Sequence, residues 1–245
     1  MRQVLAMLVS ATLLVVVGCS GKSYEIRLDK TLADMKYRDR LDRNLMPAPT
    51  KPKFDELQIF IRPPKSLELT KEPLLTDPDK TKFDLEAGFL EAAKQENMHV
   101  LARVKRAKAA NTKTKKAEPP PPTRGDFSRD ILALLNTYYN PPPELSPDKF
   151  KEDKQKTGNI FRKHVFSGNN KDVQVYLYTP KGNPYEVAII FEYPKAEQAA
   201  LSSKIVLCLE SFATAEKARK AFSGTAGEEE GAATGAPGAG GGAAF

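Results

Sequence analysis

Residues 160–193, IFRKHVFSGNNKDVQVYLYTPKGNPYEVAIIFEY, decide the fold of this chain. They contain three apolar runs rich in β-branched and aromatic residues, at 160–166, 173–178 and 185–193. Clusters of Ser, Gly, Asn and Pro separate these runs, and such clusters favour tight turns between antiparallel neighbours. A fourth run, Ile205 to Phe212, has apolar residues at both alternate sets of positions, which is typical of a central strand with two covered faces. The sequence therefore predicts a C-terminal four-strand antiparallel meander.

The rest of the chain adds shorter strands and two helices. Apolar alternation predicts a strand over residues 54–61 and another over 98–104, while 67–83 predicts a loop and 83–94 is ambiguous. Helical spacing of apolar residues predicts a helix from Arg129 to Tyr139, capped by Ser128, and a last helix capped by Thr214. We therefore expect an α+β fold: an antiparallel sheet of about five to six strands with two packed helices.

The predicted order of strand, strand, helix, four strands and helix is similar to that of the PsbP-like α/β/α sandwich proteins. Members of that group are mostly assembly or accessory proteins without catalytic activity. The resemblance implies a non-enzymatic role for this chain.

The chain begins like a secretory signal. Met1 and Arg2 precede an apolar segment, Val4 to Val17, which at about 14 residues is too short to cross a bilayer as a helix. The segment ends in Val16-Val-Gly-Cys19, which resembles the lipobox of bacterial lipoproteins. The resemblance implies that Cys19 carries a thioether-linked diacylglycerol and that the preceding peptide is removed. The alternatives are an uncleaved anchor helix and a chance Cys in an ordinary signal.

The lipobox also implies a location. A chain anchored through Cys19 would be held at the cell membrane or the outer membrane and would face the periplasm or the exterior. Ser20 stands where many lipoproteins retained at the inner membrane have aspartate, which favours the outer membrane. The expected partners are the membrane, reached through the lipid, and an envelope protein; the oligomeric state stays open.

Changes of composition divide the chain into segments. Leu28, Leu32 and Met35 have helical spacing in a charge-rich stretch, which predicts a stalk helix between the lipid and the domain. The Gly/Ala-rich C-terminal segment lacks the apolar residues needed for packing, and we expect it to be disordered. The predicted segments are a signal peptide (1–18), the lipidated Cys and stalk helix (19–50), one α+β domain (51–224) with a basic Pro-rich insertion (108–125), and a disordered tail (225–245).

The positive charge of the chain suggests affinity for anionic surfaces, with solubility alone as the alternative. Its formal charge is +7 and its pI is near 9.2, and for an anchored chain the nearest anionic partners are lipid headgroups or acidic cell-wall polymers. Six basic residues just before and within the insertion are the candidates: Lys105, Arg106, Lys108, Lys113, Lys115 and Lys116. The alternative is a solvated linker. The insertion lacks aromatic residues that could stack on bases, so nucleic acid is not expected.

No group of residues in the sequence has the spacing of a known catalytic or metal-binding motif. His99 and His164 have no ligand-type neighbours at metal-site spacing, and a nucleophile elbow of the Gly-x-Ser-x-Gly type is absent. Cys208 lies in an apolar run and is expected to be a buried packing residue. We therefore predict no catalytic residue, no metal and no cofactor, and a non-enzymatic accessory or binding module of the cell envelope.

Two alternative functions stay open. One is an envelope hydrolase with dispersed catalytic residues, which a deep pocket holding His99 or His164 beside a carboxylate would favour. The other is a structural tether that binds anionic cell-wall or lipid surfaces.

Overall fold

The computed structural model describes residues 21–50, 53–78, 80–93, 95–105, 124–143 and 145–223. The predicted signal peptide, Cys19 and the tail 225–245 lie outside these ranges. The chain divides into two compact units, residues 1–44 and 45–245. None of the helices within the described ranges is both long and apolar enough to cross a membrane.

The first unit contains helix α1 (Gly21–Asn44), which agrees with the predicted stalk helix. Arg43 and Asp39, one turn apart, form an ion pair. Most of the larger apolar side chains of α1, among them Leu28, Leu32 and Met35, are exposed, and Leu41 is half-buried. Helix α1 therefore has no buried apolar face among the residues whose burial is described.

The described part of the second unit consists of nine strands and three α-helices. The strands are β1 (Ile59–Phe60), β2 (Glu68–Leu69), β3 (Leu85–Glu91), β4 (Glu96–Val104), β5 (Lys151–Lys154), β6 (Ile160–Gly168), β7 (Lys171–Tyr178), β8 (Tyr185–Tyr193) and β9 (Ala213–Thr214). The helices are α2 (Phe127–Tyr138), α3 (Gln198–Ser211) and α4 (Ala215–Phe222). Seven strands form one antiparallel sheet in the order β2-β3-β4-β8-β7-β6-β5, and β1 pairs with β9. The α+β class with an antiparallel sheet is confirmed.

A C-terminal meander of four strands is present, but its members differ from those predicted. Strands β6, β7 and β8 match the three apolar runs, and the fourth member is β5, which precedes them. The sequence of β5, Lys-Glu-Asp-Lys, contains no apolar residue, which suits an edge strand that is largely exposed to solvent. Strand β5 therefore carried no periodic signal.

The predicted strand from Ile205 to Phe212 is wrong, because residues 205–211 form the second half of helix α3 and Phe212 is its C-cap. Leu201, Ile205 and Cys208 are buried at helical spacing, while Val206 is 44% exposed. Leu207 and Leu209 are buried as well, so the apolar stripe is wide and reads as a continuous run. A short apolar run cannot be assigned to helix or strand by periodicity alone.

Three smaller predictions also need correction. Of the strand predicted over 54–61, only Ile59–Phe60 is extended, because residues 53–58 form hydrogen-bonded turns. Asp126, not Ser128, caps α2: its carboxylate accepts a hydrogen bond from the N–H of Arg129 at 2.9 Å. Thr214 precedes α4 without a side-chain capping bond.

The sheet has one helix layer on each face. On one face, Ile131 and Leu135 of α2 pack against Val175, Leu177 and Ile190. On the other face, the aromatic ring of Phe212, at the end of α3, lies against those of Phe161 and Tyr178, with centroids 5.4 and 4.9 Å away. Strand β8 is buried along its whole length, as a central strand covered on both faces must be.

Candidate functional site

A buried arginine, Arg103, lies just before the basic insertion. The cluster of ion pairs that it forms with Glu186 and Asp130 is called the base of the insertion below. Strand register places Arg103 of β4 opposite Glu186 of β8, and Arg103 Nε donates to Glu186 Oε2 at 2.6 Å. Its Nη1 donates to Asp130 Oδ2 at 2.9 Å and its Nη2 to the carbonyl of Gly125 at 2.7 Å. The guanidinium also lies 5.1 Å from the centroid of the Phe127 ring. Arg103 therefore joins β4, β8 and the start of α2 in one cluster.

Two described residues that flank the segment 106–123, which contains most of the insertion, are fixed beside this cluster. At the first end, Lys105 Nζ lies 2.8 Å from Glu186 Oε1, and the Lys105 N–H donates to the carbonyl of Pro184. At the second end, Arg124 donates to both carboxylate oxygens of Asp84, each at 2.8 Å. Such a two-point bond fixes the guanidinium plane as well as its position. The segment between Lys105 and Arg124 thus begins and ends on ion pairs anchored in the sheet.

Lys105 is the only one of the six predicted contact residues that falls within the described ranges. Its side chain is 63% exposed, but its ammonium group is paired with Glu186, so it is less available to an external anion than expected. The others, Arg106, Lys108, Lys113, Lys115 and Lys116, lie outside the described residues. Sequence reasoning did not identify Arg103 and Glu186 as the base, because the two residues are 83 positions apart and only the β4–β8 register joins them.

A second buried polar cluster surrounds Glu192 on β8. Its Oε1 accepts hydrogen bonds from the hydroxyl of Tyr139 at 2.5 Å and from His99 Nε2 at 3.0 Å. Its Oε2 accepts from Asn97 Nδ2 at 3.0 Å, and Lys171 Nζ is 3.9 Å away. Since a carboxylate only accepts, His99 Nε2 carries a hydrogen. The cluster joins β4 and β8 to the residue that follows α2.

The three donors hold Glu192 as a carboxylate. Burial raises the pKa of Glu192, but hydrogen bonds from His99, Tyr139 and Asn97, with the charge of His99, outweigh it and lower the pKa to about 2. Burial, followed by the charge of Glu192, raises the pKa of Tyr139. His99 Nδ1 and Asn97 Oδ1 are buried without a hydrogen-bond partner among the described residues.

This cluster contains a histidine and a carboxylate but does not present them to a substrate. His99 is 0% exposed. Cys208 is fully buried on the other face of the sheet, near Tyr176, and burial raises the pKa of its thiol. The sheet separates Cys208 from His99, so the two cannot act as a nucleophile and its base. Cys208 is a buried packing residue, and His99 connects β4 to β8 through its hydrogen bond to Glu192.

His164 lies in a different place, on the outer part of the sheet. It lines an open depression of about 510 Å³ together with Glu152 and Asp153. Its ring forms a hydrogen bond with the backbone of Lys149, and burial is the main cause that lowers the pKa of His164. The ring also packs against Phe150, with centroids 5.3 Å apart. Within the described ranges, no group of three or more His, Cys, Asp and Glu residues has the arrangement needed to hold a metal ion.

Comparison with known proteins identifies solved structures of similar fold. No family model and no curated protein matches the chain. One similar structure is the cyanobacterial PsbP protein, CyanoP, of Synechocystis sp. PCC 6803, at 9% identity and a TM-score of 0.41, covering 70% of this chain and 93% of that one. Another is the Ran-binding protein Mog1p of Saccharomyces cerevisiae, at 11% identity and a TM-score of 0.37, covering 69% and 96%.

A third similar structure is a protein of Bacteroides thetaiotaomicron VPI-5482, at 10% identity and a TM-score of 0.35, covering 65% of this chain and 46% of that one. At these identities and TM-scores the likeness concerns the general fold alone. The predicted similarity to PsbP-like proteins is therefore a similarity of general fold only.

Proposed function

We propose that this chain is a lipid-anchored, non-enzymatic binding module of the bacterial cell envelope, and that its basic insertion contacts an anionic surface. The proposal combines the lipobox at Cys19 with the position of the insertion on the domain. Anionic lipid headgroups and acidic cell-wall polymers are the partners that such an anchored chain meets first.

The ion-paired base of the insertion is the observation that carries the proposal. Residues 105–124 contain seven Lys or Arg residues and one acidic residue, Glu118. Two of the seven, Lys105 and Arg124, are used by Glu186 and Asp84 to hold the ends. The five other cations lie outside the described residues. The sequence between the two ion-paired ends is therefore rich in cations, while the ends themselves are fixed to carboxylates of the domain.

The hydrolase alternative has less support from the geometry. It requires a deep pocket that holds a histidine beside a carboxylate, whereas His99 is fully buried and His164 lines an open depression. The tether alternative differs from our proposal only in what the contact is for. Turnover of an ester or a cell-wall fragment by the wild-type chain, lost in His164→Ala, would favour the hydrolase.

The anchor is tested by labelling. Cells that express the chain are given labelled palmitate, and we expect label on the wild type and none on Cys19→Ala. Equal labelling of both chains, or none on either, would contradict the assignment. In the matching fractionation, a high-salt wash that weakens contacts between charges should release Cys19→Ala from membranes and leave the wild type bound.

The surface contact is tested with vesicles and two charge-matched variants. Both carry Cys19→Ala, so that lipid insertion does not mask the contact. The first variant replaces the five cations of the insertion by Gln: Arg106, Lys108, Lys113, Lys115 and Lys116. The control replaces five exposed lysines elsewhere in the second unit by Gln: Lys65, Lys71, Lys181, Lys195 and Lys217.

We expect the unaltered insertion to bind phosphatidylglycerol vesicles and not phosphatidylcholine vesicles. Each basic residue near such a surface contributes about 1 kcal/mol, so the insertion variant should bind at least about tenfold more weakly than the control. Both variants have the same net charge, so a general charge effect would weaken both equally. Equal binding by the two variants would refute the role of the insertion.

A further inference from the structure

The outer edge of the sheet contains a strand segment that is paired on one side only. Strand β5 pairs with residues Ile160 to Lys163 of β6 and then ends. Residues 164–168 of β6 continue along β7, and in the described part of the chain they form no ladder with any other segment. These five residues extend over about 17 Å. Along this length, backbone N–H and C=O groups of alternate residues face outward and are free to pair with another strand.

The charges around this open edge are mainly positive. The depression of about 510 Å³ lies where β5 ends, and Lys149, Lys151 and Lys163 line it with His164. Lys151 is directly opposite Lys163 in the β5–β6 register. Like charges in directly opposed positions of an antiparallel pair repel each other, and an anion between them would remove that cost.

The two carboxylates of the depression have other neighbours. Glu152 is opposite Arg162, and Asp153 is opposite Phe161, close enough to Tyr176 to contribute to the raised pKa of that residue. Asp153 lies on the same face of the sheet as the lysine pair, two residues along β5 from Lys151, so the lining contains three lysines and two carboxylates. Val165, the next residue along the open edge on the side of Lys163, is 47% exposed.

The geometry points to a peptide-docking edge: we infer that residues 164–168 of β6 bind an extended acidic segment of a partner protein as an added strand. A peptide backbone supplies both N–H donors and C=O acceptors for the open edge, whereas the phosphate of a lipid headgroup supplies acceptors alone. A second copy that paired antiparallel through its own residues 164–168 would place Asn169 opposite Lys163 and would supply no carboxylate to the lysines. Charge complementarity therefore selects a partner with Asp or Glu residues in an extended segment.

This surface is separate from the insertion. Strands β8 and β7 lie between β4, which carries the base of the insertion, and β6. The proposal therefore goes beyond the anionic surface contact, and either one can fail without the other.

The experiment measures fluorescence anisotropy of a labelled heptapeptide of alternating valine and aspartate, added to the full chain carrying Cys19→Ala. Two further probes separate charge from strand addition. One is the same peptide with every backbone nitrogen methylated, which keeps the charge but cannot donate hydrogen bonds. The other replaces each aspartate by lysine. Inorganic phosphate and phosphatidylglycerol vesicles, used as competitors, represent the free-anion and lipid sources.

We expect the acidic peptide to bind, and the methylated and lysine peptides to bind at least about tenfold more weakly. Replacing Lys151 and Lys163 together by Gln should weaken binding roughly threefold to tenfold, as the loss of two surface ion pairs does. Lys195 and Lys217 replaced together by Gln form the control and should leave binding unchanged. Lys151→Gln alone, at an exposed position on the edge, should give part of the loss. Hydrogen exchange should show new protection at residues 164–168 on peptide binding.

Several results would overturn the inference. Equal binding of the methylated peptide would mean an anion site without strand addition. Displacement of the acidic peptide by millimolar phosphate or by the vesicles, with no protection of residues 164–168, would assign the lysines to a free anion or a lipid. No binding of the acidic peptide, or binding that ignores Lys151 and Lys163, would remove the proposal altogether.

Discussion

Glu192→Gln tests the physical description of the buried cluster most directly. The carboxylate of Glu192 accepts three hydrogen bonds, from Tyr139, His99 and Asn97, at 2.5, 3.0 and 3.0 Å. A glutamine oxygen is neutral, and its amide N–H bonds would face the donor Nδ2 of Asn97 unless the Asn97 side chain turns to present Oδ1. A buried donor left without a partner costs about 1–3 kcal/mol, and in either arrangement the remaining hydrogen bonds lose their charge assistance.

The pKa of Glu192 leads to a similar magnitude. A carboxyl with a pKa of about 2 in the folded protein and an ordinary value of 4.5 in the unfolded chain contributes roughly 3 kcal/mol at neutral pH. Because the folded pKa is the lower one, this contribution is fully present above pH 4.5 and is lost as the pH falls towards 2. We therefore expect Glu192→Gln to lower the free energy of unfolding by about 3 kcal/mol at pH 7 and by less than half of that at pH 3.

The assay is urea unfolding at pH 7, 5 and 3, followed by far-ultraviolet circular dichroism, since the chain has no Trp. Glu152→Gln, on the exposed edge strand β5, is the matched control and should change the free energy of unfolding by no more than about 0.5 kcal/mol. A loss below about 1 kcal/mol for Glu192→Gln at pH 7, or a loss that is the same at pH 3 as at pH 7, would refute the reasoning.

Three further predictions concern packing and burial. Ile205→Ala should cost about 2–5 kcal/mol of unfolding free energy and Val206→Ala close to none, because one side of α3 is buried; similar losses in urea melts would indicate a strand covered on both faces. Gly168→Ala should cost about 1–3 kcal/mol in the same melts, because an added Cβ lies 2.8 Å from Cδ1 of the Tyr139 ring; an unchanged midpoint would show that the ring moves freely. In a Cys19→Ala chain, Cys208 should react with a thiol reagent only in denaturant, since burial raises its pKa, and rapid labelling of the native protein would contradict this.

Much of the fold was predictable from local pattern. Strands β6, β7 and β8 have alternating or continuous apolar runs with turn residues between them, and both signals lie within a few residues of each other. Helix α2 was predicted for the same reason, with its cap displaced from Ser128 to Asp126. Strand β5 was missed, because an edge strand without apolar residues leaves no pattern. Helix α3 was mistaken for a strand, because its buried face is wide enough to make consecutive residues apolar, as in a buried strand.

The candidate sites were predictable in part. The basic residues of the insertion and the apolar setting of Cys208 could be read directly. The neighbours that set the behaviour of Lys105 could not: its partner Glu186 also holds Arg103 and comes from a distant strand. The lysine pair Lys151 and Lys163 likewise depends on a strand that the sequence did not reveal.

By itself, the sequence determined the α+β class, strands β6, β7 and β8, and helices α1 and α2. These features follow from interactions between residues close together in the chain. Only the tertiary structure decided which charges are paired and buried: His99 meets Glu192 across 93 positions, and residues 164–168 lie open because β5 is short. Such contacts depend on strand register and strand length, and these are set by the packing of the whole sheet against its two helix layers.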